Sequence, residues 1–334
     1  MVQYIQKACF ILLIAVFAVS CKTDSSESTK LDATEKTTRR KVPKFDNEKA
    51  YQNIEKQVNF GHRYPGTQAH TDLIKYLTAE LTRYTDQVIT QDFKVDFLDE
   101  KGVNATNIIG IVNPDKKKRI LLCAHFDTRK IAEKDEDVAK QNLPILGADD
   151  GGSGVGVLLE IARLVKENGI DIGVDFILFD AEDNGDSQGE SNTWCLGSEH
   201  WAKNPHVKNY KAEFGILLDL VGAKNAEFGK ELYSLQSAKK YVDKIWTLAE
   251  RMSFTNYFID FQPGSVTDDH VNIIKYRRIP MIDIINMSNL NGRKGFDHYH
   301  HTQKDNMDII DKNTIRAVGK VVTATLYNFN NGTL

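Results

Sequence analysis

Four stretches of the chain are apolar almost without interruption and no longer than a strand: "RILLCAHFD" at 119–127, "VDFILFDAED" at 174–183, "FGILLDLVG" at 214–222 and "IPMIDIINM" at 279–287. A strand with apolar side chains on both faces must be covered on both, which is how the strands of a parallel sheet are buried. Around these runs lie segments with a helical spacing of apolar residues, at 67–84, 156–169, 237–252, 268–278 and 312–329, and residues 88–98 read as a further strand. Strands alternating with helices predict an α/β domain built on a central, mainly parallel sheet with helices on both faces. With 334 residues, 41% of them hydrophobic and 27% charged, the chain can bury such a core, and no repeat or second shift in composition divides it. One globular domain over residues 46–334 is therefore expected.

Residues 1–45 stand outside that pattern. "MVQYIQKACFILLIAVFAVSC" has one early cation, Lys7, then an apolar run from 8 to 19, then small residues ending at Cys21. That run is too short for a membrane span and has the length of a signal-peptide core. "AVSC" resembles a bacterial lipobox, in which the cysteine becomes the lipidated first residue of the mature protein; a plain secretory signal and an uncleaved anchor are the alternatives. On the lipobox reading residues 1–20 are a lipoprotein signal peptide, and 21–45 are the lipidated Cys21 and a polar, flexible tether. The protein would then sit in the bacterial cell envelope, facing the periplasm, and Lys22 favours the outer over the inner membrane. Cys123 and Cys195 remain in the domain, too few for a disulfide framework, and two buried free thiols are expected rather than a bridge. A net charge of −3 leaves no electrostatic footprint for nucleic acid, and a monomer is the default expectation.

In an open α/β sheet the ligand site lies beyond the carboxyl ends of the strands. The polar residues that interrupt the apolar runs fall there: His125 and Asp127 in the first, Asp180, Glu182 and Asp183 in the second, Asp219 in the third. The loop after the fourth, "DHYHHTQKDN" at 297–306, adds His298, His300 and His301. Carboxylates and imidazoles gathered at one sheet edge repel or desolvate one another unless a positive group sits among them, and a divalent metal is the simplest such group. Asp, Glu and His suit a catalytic zinc with an open position, whereas magnesium or calcium would not favour the histidines. A glycine-rich stretch, "GADDGGSGVG" at 147–156, precedes a helix, yet it lacks the lysine and hydroxyl of a phosphate loop and the third glycine of a dinucleotide fingerprint. The glycines instead allow a tight turn from which Asp150 can reach the cleft, with helix capping as the alternative role for that aspartate.

The motifs "HFD", "GADDGG", "FDAED", "GSEHWA", "LLDLVGAKNAEF", "TDDHVNIIKYRRIP" and "HHTQKDN" occur in the order seen in proteins of the zinc aminopeptidase fold. Within that clan they resemble the glutaminyl cyclases (glutaminyl-peptide cyclotransferases), in the bacterial branch similar to the animal enzymes, over about residues 50 to 330. The resemblance implies a single α/β domain with a central mixed sheet and one zinc per chain on Asp150, Asp183 and His301. Asp183 stands where the animal enzymes usually carry glutamate. Glu182 matches the family's proton-shuttling glutamate, and Asp219 and Asp268 match two acids of a hydrogen-bond network near the reacting amide; for Asp268 the alternative is the N-cap of the following helix. His300 takes the place of an aromatic that lines the pocket, Phe296 matches another wall residue, and Trp194 is either wall or core. Asp149 stands where the animal enzymes carry threonine, in the second shell of the metal or solvated. The implied activity converts N-terminal glutaminyl residues of peptides and exported proteins to pyroglutamate with release of ammonia. The rival within the clan is a two-zinc aminopeptidase, with His125, Asp150 and Asp219 around a second metal and Glu182 as base; a binding module on an inactive fold is the remaining alternative.

Overall fold

The expected parallel pattern holds for four strands and is extended by an antiparallel edge. The computed structural model describes residues 39–189, 193–287 and 295–334, so the expected signal peptide and lipidated Cys21 lie outside the described residues. The strands are β1 (Gln87–Phe97), β2 (Glu100–Val112), β3 (Arg119–His125), β4 (Gly173–Phe179), β5 (Phe214–Asp219) and β6 (Met281–Ile285). They form a sheet in the order β1-β2-β4-β3-β5-β6. β4, β3, β5 and β6 are parallel, β2 runs antiparallel to β4, and β1 antiparallel to β2. The parallel strands are buried along their whole length, as uninterrupted apolar runs require, whereas β1 alternates in burial as an edge strand does.

Successive side chains of a strand point to opposite faces, so the sheet divides its apolar residues between two cores. Ile120, Leu122, Phe176, Leu178, Ile216 and Leu218 enter one core; Leu121, Cys123, Ile177, Phe179 and Leu217 enter the other. The first is covered by α1 (Asn47–Val58), α2 (Gln68–Tyr84), α3 (Gly152–Asn168), α5 (Leu232–Arg251) and α7 (Lys312–Asn330). The second is covered by the shorter α4 (Leu196–Lys203) and α6 (Asp269–Arg277).

α3 crosses the sheet at close range, and its glycines make that possible. A Cβ at Gly154 would lie 2.2 Å from the carbonyl oxygen of Leu218 and 2.9 Å from Cβ of Ala124, and one at Gly156 would lie 2.5 Å from Ile54 of α1. The run "GGSGVG" therefore serves packing as well as the turn: Gly151, at φ 88, is where the chain reverses.

Three elements had no expectation in the sequence. α1 follows the polar tether, α4 is barely two turns long, and β2 is joined to β1 through Leu98 and Asp99, with Leu98 at φ 46 and no glycine to announce a hairpin. The domain also begins before residue 46. Phe45, assigned to the tether, is 2% exposed and packs on Gly319 of α7, and Arg40 forms a two-pronged pair with Asp171 at 2.7 and 2.8 Å. The cations around Phe45 hid a core residue. Cys123 and Cys195 are free and buried.

Candidate active site

The parallel register sets His125 beside Phe179 and Asp219 beside Ile285, which aligns the carboxyl ends of β3, β4, β5 and β6. Beyond them opens a cavity of about 410 Å³. Asp150, Glu182, Asp183, Trp194, Asp219, Asp268, Phe296, His300 and His301 all line it, so the residues singled out in the sequence converge on one site from loops far apart in the chain.

Asp150 is delivered by the turn before α3. Its backbone N–H and that of Asp149 donate to the two oxygens of buried Asp305 at 3.1 and 2.8 Å, and Arg63 donates to the carbonyls of Leu146 and Gly147. Asp183 follows β4 in a loop held by the Asp127 carboxylate, which accepts from the N–H groups of Glu182 and Asp183 at 3.0 and 3.2 Å. His301 Nε2 lies 3.0 Å from Asp183 Oδ1 and 3.8 Å from Asp150 Oδ2, while its Nδ1 is 2.9 Å from Glu133 Oε1. Oδ2 of Asp150 and Oδ2 of Asp183 are buried without a hydrogen-bond partner. Burial pushes Asp183 up to about 6, and the charge of Asp150 adds to the rise. Orphaned carboxylate oxygens beside an imidazole whose far nitrogen is already fixed by a carboxylate form a donor set that fits zinc. His300 Nε2, 3.7 Å from Asp150 Oδ2, brings a further donor within reach: ligand atoms of Asp150, His300 and His301 lie within 4.8 Å of one another. His298 is 68% exposed and bonded to Asp297, which removes it from the three histidines considered.

The acids opposite form a second group. Burial drives Glu182 well above the usual carboxylate range, against the nearby His125 and with the charges of Asp183 and Asp268 adding to the rise. Burial pushes Asp219 up to about 8 against the bond from His125 Nε2 at 3.1 Å. Asp268 is the N-cap of α6, accepting from Asp269 N–H at 2.5 Å, and it also lines the cavity, with Oδ2 left without a partner. His125 Nε2 is also 3.2 Å from Asp150 Oδ1, so it bridges the metal-side and acid-side groups.

Aromatic rings make the wall. Phe296 stacks on His300 at 4.0 Å, His300 on His301 at 3.8 Å, and Trp194 on His301 at 5.9 Å. Trp194 is thus wall rather than core. Asp149 is neither solvated nor at the cavity: it is fully buried, accepting from Tyr299 Oη at 2.5 Å and Gly222 N–H at 2.6 Å.

Sequence reasoning missed Arg129, Glu133 and Lys134. Glu133 accepts from both His301 Nδ1 and Arg129 Nε, Arg129 also donates to the Asp183 carbonyl, and Lys134 Nζ donates to His300 Nδ1 at 2.7 Å. They lie in "RKIAEKDED", an irregular charged segment with no spacing to mark it.

Fold and site together define an α/β enzyme with a carboxylate–imidazole metal centre at the carboxyl ends of parallel strands. Residues 107–326 match the model of peptidase family M28, and the chain belongs to that family. It is 31% identical over 229 residues to aminopeptidase YwaD of Bacillus subtilis, covering 66% of this chain but only 44% of that protein's length. It is 23% identical over 290 residues to the glutaminyl-peptide cyclotransferase of Bos taurus, covering 78% of this chain and 76% of the bovine one. Among solved structures it matches Tannerella forsythia glutaminyl cyclase at 47% identity and a TM-score of 0.83, over 86% of this chain and 99% of that one. It matches a Zn-dependent exopeptidase of Parabacteroides distasonis at 45% identity and the same TM-score of 0.83, over 86% and 100%. Zinc is the metal that donor set and family support.

Proposed function

We propose that the protein is a glutaminyl-peptide cyclotransferase that uses one zinc per chain to convert N-terminal glutaminyl residues to pyroglutamyl residues with release of ammonia. The observation that carries this reading is the meeting of Glu182, Asp219 and Asp268 with Asp150, Asp183 and His301 in one small cavity, in a chain 47% identical to a solved glutaminyl cyclase. When bound by Asp150, Asp183 and His301, zinc supplies Lewis-acid polarisation of the γ-amide carbonyl and stabilises negative charge on its oxygen. The α-amine of the same residue attacks the γ-carbon, so a C–N bond forms in the ring and the bond to the amide nitrogen breaks. Nucleophile and electrophile belong to one residue, and the chain's task is to hold them in near-attack geometry away from water, which the ring-lined pocket serves. Glu182, whose burial raises it well above the usual carboxylate range, takes a proton from the amine and returns one to the departing ammonia. Asp219 and Asp268 hold that proton traffic in place on the side facing His125. From the sequence of its first 21 residues we place the enzyme in the bacterial cell envelope on a lipid at Cys21, acting on exported peptides and proteins; a monomer is the default for a single-domain catalyst of this size.

A second reading is favoured by one observation. His125, Asp150 and Asp219 bring ligand atoms within 4.8 Å of one another, the arrangement a second metal of an aminopeptidase would use. One experiment separates the two. Purified protein is incubated with a dipeptide beginning in glutamine, and ammonia, free amino acids and zinc content are measured. Ammonia and a pyroglutamyl product with one zinc per chain support the cyclotransferase. Free amino acids with two zincs per chain overturn it.

A further inference from the structure

A thiol touches the proton carrier. Sγ of Cys195 donates to Oε1 of Glu182 at 3.2 Å, the one hydrogen bond made to that carboxylate among the described residues. Oε2 has no such partner, the nearest cationic atom being His125 Nδ1 at 4.0 Å. The two residues are also joined through the backbone: Cys195 N–H donates to the Glu182 carbonyl at 3.0 Å, and Leu196 N–H to the Ala181 carbonyl at 3.0 Å. On its far side the Cys195 carbonyl accepts from Ser198 Oγ and Asn272 Nδ2 at 3.0 and 3.1 Å, which ties it to α4 and α6.

The backbone conformation sharpens the point. Cys195 has φ 55 and ψ 38, a left-handed conformation that glycine adopts freely and a side chain adopts only at a cost. As the N-cap of α4 it makes no side-chain capping bond, so capping does not explain why a side chain is present. Its contact with Glu182 does.

We propose that Cys195 is a positioning residue for the cyclisation: its thiol holds Oε1 of Glu182, so that Oε2 faces the reacting amine and the departing ammonia. A thiol suits this task because it is a weak donor, able to orient a carboxylate without much stabilising its anion and lowering its basicity. Burial and the charge of Glu182 keep the thiol protonated, which makes it a donor to Glu182 rather than a metal ligand with Glu182 and Asp268, although the three bring ligand atoms within 4.8 Å of one another. The inference rests on Glu182 as the proton carrier of the proposed reaction.

The test compares wild type, Cys195→Ala and Cys195→Ser, each checked for zinc content and melting temperature. Cys195→Ala should lower kcat by about tenfold, the scale of one lost hydrogen bond, with KM unchanged. Cys195→Ser restores an O–H donor and should recover most of that loss. If Cys195 only filled space, alanine would be tolerated at least as well as a buried serine, and kcat in the order Ala at or above Ser overturns the proposal. The infrared S–H stretching band, identified by its loss in Cys195→Ser, gives a readout independent of turnover. It should be shifted to lower frequency in the wild type and move back in Glu182→Ala; a band that Glu182→Ala leaves in place overturns the contact itself. Absence of ammonia release by the wild type would instead sink the cyclotransferase reading, while the infrared comparison still decides whether the thiol holds Glu182.

Discussion

Removal of Glu133 tests whether the metal centre depends on more than its own ligands. Glu133 Oε1 lies 2.9 Å from His301 Nδ1 and its Oε2 accepts from Arg129 Nε at 2.7 Å. Burial works to raise this carboxyl, but His301 and Arg129 outweigh it and hold it down at about 2, so it is ionised at any pH at which zinc binds. An ionised acceptor on Nδ1 fixes the proton there, turns Nε2 toward Asp150 and Asp183, and raises the basicity of that nitrogen. Loss of such a partner costs about 10- to 100-fold in metal affinity, or about 1.4 to 2.8 kcal/mol. Glu133→Ala belongs at the upper end, because it also strips the acceptor from Arg129 Nε, and Arg129 is fully buried with Nη2 already unpartnered. Glu133→Gln keeps one acceptor oxygen for His301 but loses the charge and sets an NH2 donor where Arg129 Nε had its acceptor, so it should fall between tenfold and the alanine loss. The assay is competition for zinc against a chelating indicator at fixed pH, with melting temperatures recorded for each variant. Unchanged zinc affinity in Glu133→Ala, in protein that melts as the wild type does, would refute the reasoning, since His301 would then be oriented by its own loop alone.

Three further expectations follow from the same structure. Glu182→Gln should retain zinc and lose about 10²- to 10⁴-fold in turnover, read as ammonia release beside metal content; loss of zinc instead would make Glu182 a ligand. Gly154→Ala forces a Cβ to within 2.2 Å of the Leu218 carbonyl oxygen and should cost about 1–3 kcal/mol, seen as a lower denaturant midpoint at constant slope. A chain beginning at residue 46 should be less stable than one beginning at 39 by about 3–5 kcal/mol, the cost of removing a buried phenylalanine, and equal midpoints would return residues 39–45 to the tether.

Much of the fold was legible because its core strands have no face to spare. "RILLCAH" and "GVDFILF" can only be buried on both sides, so their apolar runs announce strands, and their register follows from the parallel pairing. α3 was expected to start at 156 and begins at Gly152, four residues earlier, because its first turn consists of glycine and serine that carry no periodic signal. β2 was invisible for the opposite reason: its first half, "EKGVNATN", lies at an edge and mixes polar and small residues, and the turn before it uses Leu98 where a glycine would have marked a hairpin.

For the site, the sequence by itself determined which residue types gather and at which strand ends. Charged side chains within apolar runs are costly unless they cluster around a task, so Glu182, Asp183 and Asp219 could be picked out from their surroundings, Asp150 stood out in its glycine-rich turn, and His301 was singled out from His298 and His300 by the family resemblance alone. Tertiary structure alone decided how those groups are held. Glu133 reaches His301 across 168 positions of chain, and Asp305 reaches Asp149 across 156, from segments whose own composition is that of any polar loop. Nor could spacing separate the twin aspartates by environment: Asp150 faces the cavity, while Asp149 is turned inward onto Tyr299 and Gly222. The physical reason is the same in each case. A ligand is marked by the cost of its burial, which is local, whereas the group that orients it acts through a contact that exists only once the chain has folded.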